Sequence, residues 1–160
     1  MIGRSNCSIS LAAPRLWRDK LASYAAVIFD MDGVLVDGEP LHFAAINELL
    51  AADGITISFE EYRPYMGTKS GWSDMAADFG LPRPPADYAE RYSDLVLAQY
   101  RMAAALPGAQ ALVAGLHARG VPVGLASSSI RPWVEVCLAA IGLDRAFDAQ
   151  AVFSCGTDPA

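Results

Sequence analysis

Residues 24–30, YAAVIFD, form a short unbroken apolar run with β-branched and aromatic members that ends on an acid. Such a run fits a strand buried on both faces, as in a parallel sheet. Met31, Asp32 and Gly33 follow, so two carboxylates, Asp30 and Asp32, stand two residues apart at the strand's tip. In extended chain, residues i and i+2 face the same way with Cα atoms about 6.6 Å apart, so both acids can address one ligand. Open α/β sheets take their ligands at the carboxyl ends of strands. For an isolated D-x-D-G, the plain alternative is a strand followed by an Asp-Gly turn whose acids cap and solvate the loop.

A second apolar strand is expected at 121–126, VPVGLA, followed by Ser127-Ser128-Ser129, and a third near 148–153. Between the first two strands the spacing turns helical. Leu41, Ala44, Ala45, Leu49 and Ala52 lie on or near one stripe of a helix over 40–52, which Gly54 stops. Ser58 and Glu61 have capping-box spacing, so a short helix begins at Phe59. Further helices are predicted over 72–79, over 87–105 after Pro82, Pro84 and Pro85, and through Leu112, Val113 and Leu116 to Gly120. After the second strand, Ser129 can cap a helix with Arg131, Pro132 and Trp133 in its first turn and Val134, Cys137, Leu138 and Ile141 on its buried side. Strand and helix in alternation imply a parallel α/β sheet, into which the all-helical block 40–105 is inserted.

A formal net charge of −6 argues against a nucleic-acid partner, because neutralising backbone phosphates needs clustered Lys and Arg. An acidic site that recruits a divalent cation fits better. No apolar run approaches the ~20 residues that span a bilayer, so no membrane partner is expected. Cys7, Cys137 and Cys155 form no C-x-x-C, which points to a reducing compartment and a cytoplasmic location. Arg4, Arg15, Arg18 and Lys20 against Asp19 give the start of the chain a weak transit-peptide character; residues 1–23 are read as an extension outside the fold.

The string Phe29 to Asp37, FDMDGVLVD, resembles the opening hDxDGTLxD signature of haloacid dehalogenase-like hydrolases, in the form typical of sugar-phosphate phosphatases and β-phosphoglucomutase-like members. The resemblance continues through Glu39-Pro40-Leu41-His42, Pro107-Gly108, LASSS at 125–129, and Gly142-Leu143 before Phe147-Asp148. It implies a Rossmann-like three-layer α/β/α parallel sheet, here ending after the third strand, with an inserted α-helical cap. The core would be 24–37 and 107–160, and the cap 38–106. The implied chemistry is Mg²⁺-dependent phosphoryl transfer from a small phosphorylated metabolite. Asp30 would be the nucleophile that forms an aspartyl phosphate, and Asp32 the acid, then base, that serves the leaving and attacking oxygens. Family members bind Mg²⁺ through the side chain of the first aspartate and the backbone carbonyl of the second.

Ser127 matches the family's phosphate-binding hydroxyl, and Ser128, Gly33 and nearby N–H groups would extend the cradle. The cap residues singled out are His42, at the start of its first helix, and Lys69, in the loop Gly67 to Ser70, as closure and substrate contacts. A helix-entry hydroxyl, an ordinary helix residue and a solvated loop charge are the plain alternatives for Ser127, His42 and Lys69. His117 reads only as a favourable partner of its helix dipole.

Two parts of the family pattern have no counterpart: a lysine after the third strand and acids at the end of a fourth. After Ser127 the only cations are Arg131 and Arg145, both in or beside a helix expected to point elsewhere. The first strand would become an exposed apolar edge, open to self-association or another partner. The chain is therefore expected to be a truncated product, a fragment or a degenerate member. The leading function is hydrolysis of a sugar phosphate or similar metabolite. The alternatives are a β-phosphoglucomutase-like isomerase and, in another class, an inactive homologue serving as an interaction module. The dehalogenase and phosphonatase branches are disfavoured because both lack the aspartate that stands here as Asp32.

Overall fold

The computed structural model describes residues 25–67, 71–148 and 151–154. Three strands, β1 (Val27–Phe29), β2 (Val123–Ser127) and β3 (Val152–Ser154), form a parallel sheet in the order β1-β2-β3. Val27 pairs with Val123, and Leu125 pairs with Val152. The first strand is shorter than 24–30. Its ladder starts where the Val27 N–H donates to the Pro122 carbonyl at 2.9 Å, and Pro122 has no N–H with which to extend it. Burial on both faces is also corrected: Phe29, Leu125 and Val152 are buried, whereas Ile28 and Phe153, on the opposite face, are 68% and 65% exposed. Among the described residues β1 and β3 are the outer strands and β2 the central one.

The described residues also form six α-helices: α1 (Glu39–Ala51), α2 (Phe59–Tyr62), α3 (Gly71–Phe79), α4 (Pro85–Tyr100), α5 (Ala109–His117) and α6 (Arg131–Ala140). The Ser58–Glu61 capping box forms as expected, each partner taking the other's backbone N–H. The buried stripe of α1 is rotated from the one expected: Ala45, Ile46, Leu49 and Leu50 are buried, and Ala44 and Ala52 are exposed. The reason is that α1 serves two hydrophobic clusters. Ala45 joins the sheet's core with Phe29, Met31, Leu125 and Val134, while Ile46, Leu49 and Leu50 join Ile57, Tyr62, Met75 and Tyr88.

α4 stops at Tyr100 rather than 105, because the chain must straighten to rejoin the sheet. Ala105 bridges Val36, and the Leu106 N–H donates to the Leu35 carbonyl at 2.8 Å. The segments entering and leaving the helical block therefore run side by side. Cys137 is fully buried on α6, and burial pushes its thiol up to about 12, which fits a packing role. Cys7, Cys155 and residues 1–23 lie outside the described residues.

Candidate active site

The tip of β1 is built by alternation. Met31 is wholly buried and its carbonyl takes the N–H groups of Leu35 and Val36, which pins the turn and turns the residues on either side away from the core. Asp30 is exposed there and its Oδ1 accepts the Met31 N–H at 2.7 Å. Gly33 takes φ +76°, and its N–H donates to the Val36 carbonyl at 2.7 Å, so that donor already has a partner within the turn.

Asp32 is half-buried, and both of its carboxylate oxygens are held. Oδ1 accepts the Tyr100 hydroxyl at 2.8 Å, and Oδ2 accepts the Ser129 hydroxyl at 3.1 Å. Gly38 passes so close that a Cβ there would run into Asp32 Oδ1. The Tyr100 oxygen also lies 3.0 Å from His42 Nε2, and His42 Nδ1 lies 2.6 Å from the Tyr92 hydroxyl. A chain of contacts thus runs from Asp32 through Tyr100 and His42 to Tyr92. Burial lowers the His42 pKa, against the smaller opposing pull of Asp32, and favours the neutral ring. Burial first, and the Asp32 charge second, raise the Tyr100 pKa, so its hydroxyl remains a donor.

The three serines have separate tasks. The Ser127 hydroxyl is buried beneath the turn and accepts the Ser129 N–H at 3.1 Å, while Ser128 is exposed. Ser129 does not cap α6, as its sequence position suggested. Ile130 is the N-cap, with no side-chain bond, because the Ser129 hydroxyl is directed across the sheet to Asp32. His117 does more than complement a dipole: its Nε2 contacts the Ala146 carbonyl at 2.8 Å.

Asp32, His42, Ser128 and Ser129 share a cavity of about 690 Å³ with Glu39 and several aromatic side chains. Asp30 and Ser127 are not among its lining residues. Arg131 is occupied with the Val152 carbonyl and Glu135, and Arg145 with Asp144, so neither cation enters the cavity, in agreement with expectation. Lys69 falls outside the described residues. Among the described residues, no three His, Cys, Asp or Glu side chains group to hold a metal ion by themselves, and no helix is long and apolar enough to cross a membrane. Tyr92 and Tyr100 were not anticipated; the i, i+4 spacing of Tyr88 and Tyr92 was an available signal, whereas Tyr100 stands about a third of a turn round the helix from Tyr88.

The family model for haloacid dehalogenase-like hydrolases matches residues 24–158, and the chain belongs to that family. It is 36% identical over 111 residues to the probable pseudouridine-5'-phosphatase of Drosophila melanogaster, a match that takes in 68% of this chain and 48% of the relative. It is 35% identical over 133 residues to hexitol phosphatase B of Escherichia coli, covering 79% of this chain and 59% of the relative. Among solved structures, CbbY from Rhodobacter sphaeroides in complex with phosphate superposes with a TM-score of 0.66 at 27% identity, over 81% of this chain and 63% of CbbY. The chain therefore spans roughly half to three fifths of the length of these relatives.

Proposed function

We propose that the chain carries the nucleophile, the general acid and the substrate-enclosing helices of a Mg²⁺-dependent phosphomonoesterase acting on a small phosphorylated metabolite. The observation that carries this is the Asp32 carboxylate held between two hydroxyls on a cavity wall, at the end of the strand whose last position is followed by Asp30. Names of two relatives, a hexitol phosphatase and a pseudouridine-5'-phosphatase, support a small phosphate ester as substrate.

An oxygen of Asp30 attacks phosphorus in line, forming the aspartyl phosphate as the bond to the alcohol oxygen breaks. Protonated Asp32 gives its proton to that departing oxygen. A water then attacks phosphorus, its proton passes to Asp32, and phosphate leaves with the Asp30 carboxylate restored. Tyr100 and Ser129 fix the Asp32 carboxyl group in both steps. With both side-chain oxygens of Asp32 engaged, the hard donors at the tip are the Asp30 carboxylate and the Asp32 main-chain carbonyl. So sparse a set suits Mg²⁺, which keeps much of its water. When bound, the ion would offset charge on the transferring group. Ser127, Ser128 and the Gly33 turn are the phosphate cradle, and His42 and Lys69 are closure and substrate contacts, in this reading.

Residues 38–106 act as the cap, moving on the paired Val36 and Ala105 segments and excluding water when closed. The test is phosphate release from p-nitrophenyl phosphate by the 160-residue chain. Release should require Mg²⁺ and vanish in Asp30→Asn; turnover that survives either EDTA or the substitution refutes the proposal.

A further inference from the structure

Trp133 stands in the first turn of α6, just past the serine turn that carries Ser129. It abuts every ring of the chain of contacts that leads away from Asp32. Its centroid lies 6.4 Å from that of Tyr100, 5.6 Å from His42 and 5.8 Å from Tyr92, the last edge-on with planes 88° apart. These are spacings at which aromatic pairs attract beyond simple burial.

The indole N–H donates to the Ser93 carbonyl of α4 at 3.2 Å. Ser93 and Tyr100 are close to two full turns apart, so they share one face of α4, about 10.5 Å from each other along its axis. Tyr100 is the last residue of that helix, where the backbone frays most readily and tertiary contacts decide where a side chain stands. A hydrogen bond at Ser93 and a ring against Tyr100 thus fix α4 at two points on α6.

The consequence falls on Asp32. Ser129 donates to its Oδ2 and Tyr100 to its Oδ1. Both oxygens are therefore set from one stretch of chain, 129–133, the first directly and the second by way of α4. A displacement of about 1 Å at a reacting group can cost about a hundredfold in rate, so a loosened α4 should show in proton transfer.

We infer that Trp133 is a positioning residue for the general acid: through Ser93 and Tyr100 it holds α4 so that the Tyr100 hydroxyl stays on Asp32. This role rests on the phosphomonoesterase reading for the reaction; the coupling between Trp133 and Tyr100 does not. Trp133 also borders the cavity, and a residue that served only as wall would affect all esters alike.

The test uses Trp133→Phe, which keeps a ring and removes the N–H. The alcohol of 2-glycerophosphate needs a proton to depart, whereas p-nitrophenolate leaves without one. With Mg²⁺ present, kcat/KM should fall about tenfold for 2-glycerophosphate and less than about twofold for p-nitrophenyl phosphate. In the Tyr100→Phe background the same substitution should cost less than about twofold with either ester. A second arm needs no turnover: by urea unfolding, Trp133→Phe should lower the folding equilibrium constant about fivefold more in the unaltered chain than in the Tyr100→Phe background. A third needs no variant: the Trp133 indole N–H should exchange with deuterium at least about tenfold more slowly than free indole.

Equal losses with the two esters, or a loss undiminished in the Tyr100→Phe background, overturn the inference and leave the phosphatase reading standing. A missing excess in urea, or an unprotected indole N–H, overturns it whether or not any ester is cleaved. The urea excess and a protected N–H without release from either ester uphold the coupling of Trp133 to Tyr100 and sink the phosphatase reading.

Discussion

Replacing Tyr100 with phenylalanine isolates the hydroxyl that links Asp32 to His42, because the ring, fully buried, keeps its packing. Two contacts are removed: one to a carboxylate at 2.8 Å and one to an imidazole nitrogen at 3.0 Å. A hydrogen bond to a charged group contributes roughly 1.5–3 kcal/mol and a neutral one about 1 kcal/mol, for a ceiling of about 4 kcal/mol. Asp32 borders the cavity, so water can take over part of the lost bond, and a loss of about 2 kcal/mol is the better figure. In a protein of this size that corresponds to a fall in Tm of about 4–8 °C. Urea unfolding should show a lower midpoint at unchanged slope. Tyr92→Phe, which removes only the contact at His42 Nδ1, should cost about 1 kcal/mol. Equal effects for the two variants, or a Tyr100→Phe loss below about 0.5 kcal/mol, would refute the view that the carboxylate contact dominates.

Three other substitutions probe the same architecture. Gly38→Ala has a permissible backbone at φ −77° but puts its methyl into Asp32 Oδ1, so the carboxylate must swing off Tyr100 and Ser129. Phosphate release should fall about a hundredfold with a smaller change in KM, measured by steady-state kinetics. Asp53 takes the Tyr88 hydroxyl at 2.7 Å and the Arg83 guanidinium at 2.6 Å, which together lower its pKa. The unfolded chain then holds more protons on this group than the native one, so its contribution is complete above about pH 4 and fades as pH falls through the native value. Asp53→Asn should be less stable at neutral pH and lose less on acidification, read from urea midpoints at about pH 6 and pH 3. Leu125→Ala, at a fully buried position of β2, should cost about 2–5 kcal/mol by the same assay.

The alternation about Met31 was legible from a strand's period of two: just past the end of β1, Met31 is buried, Asp30 exposed and Asp32 half-buried, although only Asp32 lines the cavity. The capping box at Ser58 was legible because both halves lie within one turn. Ser129 was misread for the converse reason. A serine at a helix entry can serve its own helix or a carboxylate brought near by the fold, and local sequence cannot rank the two. The α1 stripe failed because one helix faces two clusters, which erases the single-faced pattern that periodicity detects. Tyr100 was hidden by the expectation that its helix ran on to 105. In a longer helix, this tyrosine would have been one apolar position among many rather than the last residue before the chain turns back to the sheet.

Trapping the phosphorylated protein tests the central assignment most directly. The chain would be incubated with Mg²⁺ and p-nitrophenyl phosphate, quenched in acid, digested and its peptides weighed. One phosphoryl group should lie on the peptide containing Asp30, be removed by hydroxylamine, and be absent from Asp30→Asn. Phosphate found on the serines at 127–129, or steady release with no acyl phosphate at any stage, would contradict nucleophilic attack by Asp30.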